Sequence, residues 1–508
     1  MVYQEVIMKR AIYISLVFIF AAAGMQAQTI QDALRLSRPA TLFSPRSAGM
    51  GNAFVGLAND ASALYFNPAG LGQLRQKEFS IGLSNIGFDN DATMFDVTTS
   101  GSEGATTLTN LNLALPFPVV RGSFVLSAGY NRLLDFNGAM DVDVYNPQSS
   151  IQASLFNDDP ELDFAWNLGL EDTLVLSYLD AGDPGWFAIP VANRVQQTID
   201  VTEEGGLNQW SFGGSMEIAR NMMVGLSLNV LTGSYLYQRT FIEADINDVW
   251  QGEIVGIPAV EDGPYITRTD FQELELMEEI EQDISGWNMK FGFLYNYRDK
   301  ARFGIAIQTA SYITINEDYY KSGNSYFADA TVGYDLVFEN HNYEISTAPI
   351  YSFGASWSPV EFATVSADFE LVDFSNIEFE DSNDWDPILI SDRNREIRNT
   401  FRGANNFRIG AEFNIPETGL FLRGGFGYRY SPYEVDENTT DFDVKTISGG
   451  IGYQFEHNFA LQAAYSISNY RAIVDNYFDP DAAAPLSAFQ ADQDISVSRL
   501  MLGLSYRF

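Results

Sequence analysis

Asn406–Ile415, "NFRIGAEFNI", is the stretch that decides how the chain folds. Phe407, Ile409, Ala411, Phe413 and Ile415 alternate with Arg408, Gly410, Glu412 and Asn414. Successive side chains of a strand point to opposite faces, so a period of two gives one apolar face and one small or polar face. The pattern returns throughout the C-terminal half. Phe459, Leu461, Ala463, Tyr465 and Ile467 oppose Gln462, Ala464 and Ser466, and Ile447, Ile451, Tyr453 and Phe455 oppose Ser448, Gly450 and Gln454. In the final segment Leu500, Leu502, Leu504, Tyr506 and Phe508 share one face, with Met501, Gly503, Ser505 and Arg507 on the other.

Such alternation fits either a soluble sandwich or a membrane barrel. Two features favour the barrel. The apolar face ends in aromatics, as in "WNMKFGFLYNY" (287–297), which suits a lipid–water boundary. The connections also alternate in length. Short turns at 298–300, 359–361, 416–418 and 456–458 separate long acidic stretches at about 239–286, 309–349, 371–405, 431–445 and 469–495. One rim of tight turns and one of long loops is the plan of an outer-membrane barrel.

Composition agrees. The chain has 508 residues, room for two or three domains or one large barrel. Aromatics are 14% and Gly numbers 41, which favours strands and turns. A net charge of −38 excludes a nucleic-acid partner, whose phosphates need a cationic surface. Cysteine is absent, so there is neither a disulfide scaffold nor a thiolate metal site. From Met8 the chain runs through Lys9-Arg10, the apolar "AIYISLVFIFAAAG" and "MQAQ", a secretory signal peptide with cleavage expected after Ala27. Its apolar part is shorter than the ~20 residues a spanning helix needs, and nothing later is long and apolar enough to span.

Read this way, the chain gives an all-β transmembrane antiparallel barrel of about fourteen strands. They are expected near 78–88, 107–115, 122–132, 208–219, 223–237, 287–297, 301–309, 350–358, 362–371, 406–415, 419–430, 446–455, 459–468 and 496–508. The even count puts both chain ends on the periplasmic side. Within 134–207, "LDFAWNLGL" and "DTLVLSYL" are further strand candidates. The domains are a signal peptide (1–27), an N-terminal plug or hatch (28–77) and the barrel (78–508). Residues 28–77 lack alternation, are too apolar for a solvated tail and too broken by Gly and Pro for a spanning element. The lumen of a fourteen-stranded barrel, otherwise an aqueous pore, is where they fit.

Within that segment, "SAGMGNAFVGLANDASALYFNPAGL" (Ser47–Leu71) carries three recognisable parts. They are Arg46 with Gly49-Met50-Gly51, Ala58-Asn59-Asp60-Ala61-Ser62-Ala63, and Asn67-Pro68-Ala69. The stretch resembles the N-terminal hatch of the FadL/TodX family of outer-membrane transporters for long-chain fatty acids and other hydrophobic compounds. The terminal Phe508 is similar to the family's outer-membrane assembly signal. The resemblance implies residence in the Gram-negative outer membrane, among lipid and lipopolysaccharide, after insertion by the barrel-assembly machinery. It also implies passive uptake of a hydrophobic small molecule that leaves sideways through the wall when the hatch shifts. Neither a cofactor nor a metal is implied.

The hatch residues have local roles of their own. Pro68 fixes its φ and biases Asn67 away from the helical region, and Asn67 can bond nearby backbone. Gly49 and Gly51 permit close approach or positive φ. The turn either packs the plug or moves with ligand. By parity Lys290, Arg302, Arg408, Arg423 and Arg429 point inward, where one could hold a ligand carboxylate. The alternative is pairing with inward Glu412, Glu217, Asp368 or Glu370, with Arg408 and Glu412 as one such pair. Enzyme motifs are absent: there is no G-x-S-x-G, P-loop or H-E-x-x-H, and His341 and His457 fall on opposite rims. The acidic "FQELELMEEIEQD" (271–283) is expected as a helix in an outer loop. Two functions compete, a hydrophobic-solute transporter and a hatch-bearing adaptor of a type IX secretion system. An apolar lumen path and a broken strand pairing near the hatch would favour the transporter; a filled lumen would favour the adaptor. A nonspecific porin is disfavoured by the plug.

Overall fold

A computed structural model describes residues 29–39, 43–155, 167–168, 170, 191, 193–255, 267–380, 387–433, 442–455, 458–475 and 490–508. The expected signal peptide, His457 and most of the two strand candidates within 134–207 lie outside these residues.

Fourteen antiparallel strands close into a barrel. They are β1 (Glu78–Met94), β2 (Val97–Phe117), β3 (Phe124–Asp135, continued by Gly138–Asn146), β4 (Val195–Ala219) and β5 (Met222–Ala244). Next come β6 (Phe271–Tyr297), β7 (Ala301–Gln308, continued by Tyr312–Phe327), β8 (Thr331–Ser346, continued by Ile350–Val360) and β9 (Ala363–Asp373). The last five are β10 (Gly403–Ile415), β11 (Leu420–Arg429), β12 (Val444–Phe455), β13 (Phe459–Asp475) and β14 (Gln490–Arg507). Each pairs with its sequence neighbour, and β1 closes on β14 from Glu78↔Arg507 to Thr93↔Asp492. Lys77 and Phe508 extend the seam with reciprocal backbone hydrogen bonds of 3.1 and 3.0 Å.

Alternation sorts the side chains as the sequence implies. Phe407, Ile409 and Phe413 face outward, whereas Arg408 and Glu412 are buried in the lumen. An outer surface of exposed Leu, Ile, Phe and Trp is costly in water and suited to lipid. Aromatic pairs mark its edges: Trp287 stacks on Tyr312 at 5.4 Å toward the outer rim, and Tyr506 on Phe508 at 5.6 Å toward the periplasm.

All fourteen expected strands are present, and their periplasmic ends fall within two residues of expectation. The outer ends run further in every strand but β11, which stops at Arg429. Much of 239–286 and most of 309–349 are wall instead of loop, since β5, β6, β7 and β8 rise as paired strands to Ala244, Phe271, Phe327 and Thr331. The acidic 271–283 is therefore strand, not helix, and His341 also sits in a strand. Leu274, Leu276 and Ile284 face inward, whereas Glu275, Glu279, Glu281 and Asp283 lie on the opposite face. Above the Trp287–Tyr312 level the outer face meets water, so carboxylates replace aromatics without breaking the period of two.

The wall departs from regularity at β3. A bulge between Arg132 and Leu134 shifts its register on β4, and a second interruption follows at 136–137. The ladder between β2 and β3 runs from Phe117↔Phe124 to Asn110↔Asn131 and ends there. Beyond that point the backbone ladder of β3 runs with β4 alone and that of residues 97–108 of β2 with β1 alone, while side-chain contact persists: Asn90 Nδ2 on β1 donates to Ala139 O at 2.9 Å.

Leu502, exposed between Leu500 and Leu504, tests the lipid-facing assignment. Leu502→Arg is expected to cost about 2–4 kcal/mol in denaturant unfolding from lipid vesicles, as a cation at mid-membrane depth does. An unchanged unfolding free energy would contradict the assignment.

Candidate functional site

The N-terminal segment lies inside the barrel as short elements joined by turns. Helix α1 (Ile30–Ser37) starts at a capping box, in which the Asp32 carboxylate accepts from the Thr29 N–H at 2.8 Å. Helix α2 (Pro45–Gly49) has a second box built from Ser44 and Ser47. A short helix, α3 (Ala63–Phe66), runs into a 3-10 turn, Pro68–Gln73. Between them Gly51 takes φ +63°, a conformation that suits glycine.

The segment touches the wall backbone to backbone. Gly225 on β5, Gly292 on β6, Gly304 on β7, Gly354 on β8, Gly410 on β10 and Gly425 on β11 face it. A Cβ on any of these would fall less than 3 Å from atoms of residues 50–69. Gly49 meets Gly450 on β12 in the same way, more loosely. Gly225↔Gly292, Gly304↔Gly354 and Gly410↔Gly425 are direct cross-strand partners, so the contact forms a belt. On β9 the belt is completed by Asp368, whose Oδ2 accepts from the backbone N–H groups of Phe54 (2.6 Å) and Val55 (2.8 Å).

The expected hatch residues occupy this contact. Asn67 is fully buried and makes three bonds. Its Nδ2 donates to Val55 O (3.1 Å) and Phe293 O (3.0 Å), and its Oδ1 accepts from Ala69 N–H (3.2 Å). Pro68 starts the 3-10 turn and lies with Ala69 against Gly225 and Gly292. Ala69 O accepts from Ser215 Oγ at 2.9 Å. Gly51 N–H donates to Ser448 Oγ at 3.0 Å.

Arg46 ties the parts together. It forms a two-pronged bond with Glu412 on β10 (2.9 and 2.8 Å) and reaches Asn59 (2.8 Å) and Asp60 (2.9 Å) within the hatch. Burial works against its charge, but Glu412 and Asp60 more than offset that and raise its pKa. The first two recognisable parts of the hatch are thus joined by one guanidinium, a link across residues that sequence spacing does not reveal.

The inward cations each have an occupant. Lys290 Nζ donates to Tyr65 O at 2.7 Å and lies 3.9 Å from the centroid of its ring. Arg302 Nε bonds Gln73 Oε1 at 2.8 Å, and Arg423 Nε bonds Glu412 at 2.7 Å. Arg408 pairs with Glu370 at 2.8 Å and not with Glu412. Four residues along a strand span roughly 13 Å, whereas Glu370 lies on the adjacent strand two residues from Asp368, the residue opposite Arg408. Arg429 points inward as expected and contacts Pro39 O at 3.5 Å.

Apolar side chains of the N-terminal segment, among them Leu36, Phe43 and Phe66, pack in the lumen with Leu133, Leu134, Leu207 and Leu231 of the wall. Two small voids flank Tyr65. One of about 20 Å³ is lined by Lys290, Glu370 and Arg408, and one of about 30 Å³ by Leu36, Leu134 and Leu231. On the periplasmic side a polar cavity of about 180 Å³ lies among Arg46, Asp60, Glu78, Glu412, Arg423 and Arg507. Among the described residues no group of three or more His, Asp or Glu is placed to hold a metal ion.

A closed fourteen-stranded barrel with its own N-terminal segment seated in the lumen is a hatch-bearing outer-membrane channel. Residues 206–508 match the family described as outer membrane protein transport protein (OMPP1/FadL/TodX), and the chain belongs to that family. It is accordingly a protein of the Gram-negative outer membrane. The match covers the barrel from residue 206 onward and does not include Ser47–Leu71. A Pseudomonas aeruginosa FadL homologue has a similar fold, at TM-score 0.53 and 12% identity over 92% of this chain and 99% of that one. The Pseudomonas putida toluene transporter TodX is equally similar, at TM-score 0.53 and 12% identity over 93% of this chain and 100% of its own. Comparison with curated proteins gave no match.

The belt and the Asn67 bonds can be broken separately. Gly425→Ala drives a methyl group into the backbone at Met50 and Gly51, and Asn67→Ala strands three buried groups at about 1–3 kcal/mol each. Both variants are expected to raise the conductance of the purified barrel in planar bilayers above that of wild type. Conductance that stays at the wild-type level would contradict a seal made by these contacts.

Proposed function

We propose that the protein admits hydrophobic small molecules, such as long-chain fatty acids, across the outer membrane and releases them sideways through its wall. The observation that carries this reading is the end of the β2–β3 ladder at Asn110↔Asn131, beside buried Leu133 and Leu134 of the apolar lumen. A solute moving from an apolar lumen into lipid keeps the burial free energy of roughly 25 cal/mol per Å² that a return to water would forfeit. The toluene-transporter activity of TodX, a fold neighbour, supports a hydrophobic cargo. Membership of a transport family supports a channel role over an enzymatic one. In this reading Asn67, Pro68, Ala69, Gly49 and Gly51 hold the gate. Lys290 and Arg408, beside the void at Tyr65, receive a ligand carboxylate when the hatch shifts, with Arg302 and Arg423 as the periplasmic reserve. The segment 1–27 is removed on export, leaving 28–77 as hatch and 78–508 as barrel.

A second reading, a secretion-system adaptor, draws on two features. Apolar side chains of the hatch and the wall fill the lumen together, and the wall at β6–β8 rises past the aromatic edge with an acidic outer face. Loss of protein export on gene deletion, with fatty-acid uptake unchanged, would favour it.

Absence of native cysteine makes the seam testable. A Cβ at Gly101 would lie 3.3 Å from Asp141 N, so a Gly101→Cys/Asp141→Cys pair can tie the free part of β2 to the continuation of β3. Fatty-acid uptake by a deletion strain carrying this variant is expected to fall on oxidation and recover on reduction. Uptake indifferent to oxidation would exclude exit through the seam, and uptake unchanged by deletion itself would exclude the transport reading.

A further inference from the structure

Lys290 on β6 is buried, and its ammonium holds one hatch residue twice. Nζ donates to Tyr65 O at 2.7 Å and lies 3.9 Å from the centroid of the Tyr65 ring. Tyr65 O is among the C-terminal carbonyls of α3, which have no partner within the helix, so Lys290 caps that end. The ring also stacks on Phe43, another residue of the N-terminal segment, at 3.8 Å. Among the described residues Lys290 is in no ion pair. Glu370, the carboxylate that borders the same void, is held by Arg408 at 2.8 Å and by Asn406 at 2.9 Å.

Tyr65 stands between the two lumen voids, and both are bounded by Tyr65, Gln308 and Ile350. The first contains the charged groups Lys290, Glu370 and Arg408. The second is bounded by Leu133 and Leu134, just past Asn131, where the β2–β3 ladder ends. At about 20 and 30 Å³ they hold one or two waters each and no solute. The lumen is closed at this level. A solute that enters beside Lys290 reaches the seam only if the Tyr65 ring moves.

An ammonium bound to a neutral carbonyl and a ring face gains by exchanging them for a carboxylate, because a hydrogen bond between two ionised groups is shorter and stronger. A buried cation without a counter-ion is also costly, which favours the same exchange. A ligand carboxylate that takes Nζ therefore releases the Tyr65 ring and carbonyl together. Helix α3 loses its cap, and it runs directly into Asn67 and the Pro68–Gln73 turn. A neutral solute of equal chain length brings no charge to compete for Nζ.

We propose that the Lys290–Tyr65 contact is a latch opened by a carboxylate, with Tyr65 as the shutter between the head-group void and the seam, so that the lumen selects acidic amphiphiles over neutral ones. The inference rests on the transport reading and deepens it, since the head group both chooses the solute and unseats α3.

The test uses the full chain in a non-ionic detergent at neutral pH, where decanoate is ionised, with decanoate and decanol as probes. Decanoate is expected to bind about tenfold more tightly than decanol, the factor by which a charge-assisted hydrogen bond exceeds a neutral one. At equal free concentration decanoate should also speed amide exchange in peptides covering residues 62–70 more than decanol does. Lys290→Met should abolish both differences. Tyr65→Ala should tighten binding of both probes, because the competent lumen is then populated before ligand arrives. Equal affinity for the two probes, equal effects on exchange at 62–70, or affinities that Tyr65→Ala leaves unchanged or weaker would overturn the proposal. The wild-type comparison needs neither variant, so it decides even where a variant loses heat-modifiable migration. Decanoate that fails to bind overturns the latch; decanoate that binds without altering exchange at 62–70 overturns it too and leaves the transport reading intact. Failure of that reading shows instead as uptake unchanged by gene deletion.

Discussion

The fold depends on contact between two backbones. A segment with no regular sheet of its own is held against the barrel wall because β5 to β8, β10 and β11 each present a glycine where it passes. With any larger residue there, the segment would stand off by a side chain's depth, too far for Asn67 to bond Phe293 O or for Asp368 to bond Phe54 and Val55. Close approach thus creates the hydrogen bonds, and the hydrogen bonds satisfy polar backbone that the apolar lumen would leave unpaired.

Charge reinforces the seat. Arg46 joins two parts of the hatch to Glu412, and Glu412 also bonds Arg423 on the neighbouring strand. Removing one partner from such a buried network leaves the others uncompensated, which is why the hatch and the wall behind it are coupled. Of the inward cations bordering this contact, Lys290 and Arg302 are bound by hatch atoms and Arg423 by Glu412.

Much of the barrel is legible in the sequence because lipid imposes a strict period of two and the periplasmic turns are short. The strand "NFRIGAEFNI" and its periplasmic end are found as read. Legibility fails where lipid ends. In 271–283 the outward positions are Glu and Asp instead of aromatics, so an unbroken strand reads as a charged helix. The hatch is visible through its resemblance, and Asn67 through its turn chemistry. The partners of Arg46 and Arg408 are not visible, since register between distant strands sets them. The parting of β2 from β3 is hidden for a related reason: a bulge at Arg132–Leu134 alters pairing without altering composition.

Amide hydrogen exchange of the barrel in lipid nanodiscs tests the seated hatch most directly. If the glycine belt, Asp368 and Asn67 hold the segment, peptides covering residues 50–69 will exchange as slowly as those of β10 and β11. Exchange of these peptides at the rate of free chain, with the strands still protected, would contradict a hatch fixed in the lumen.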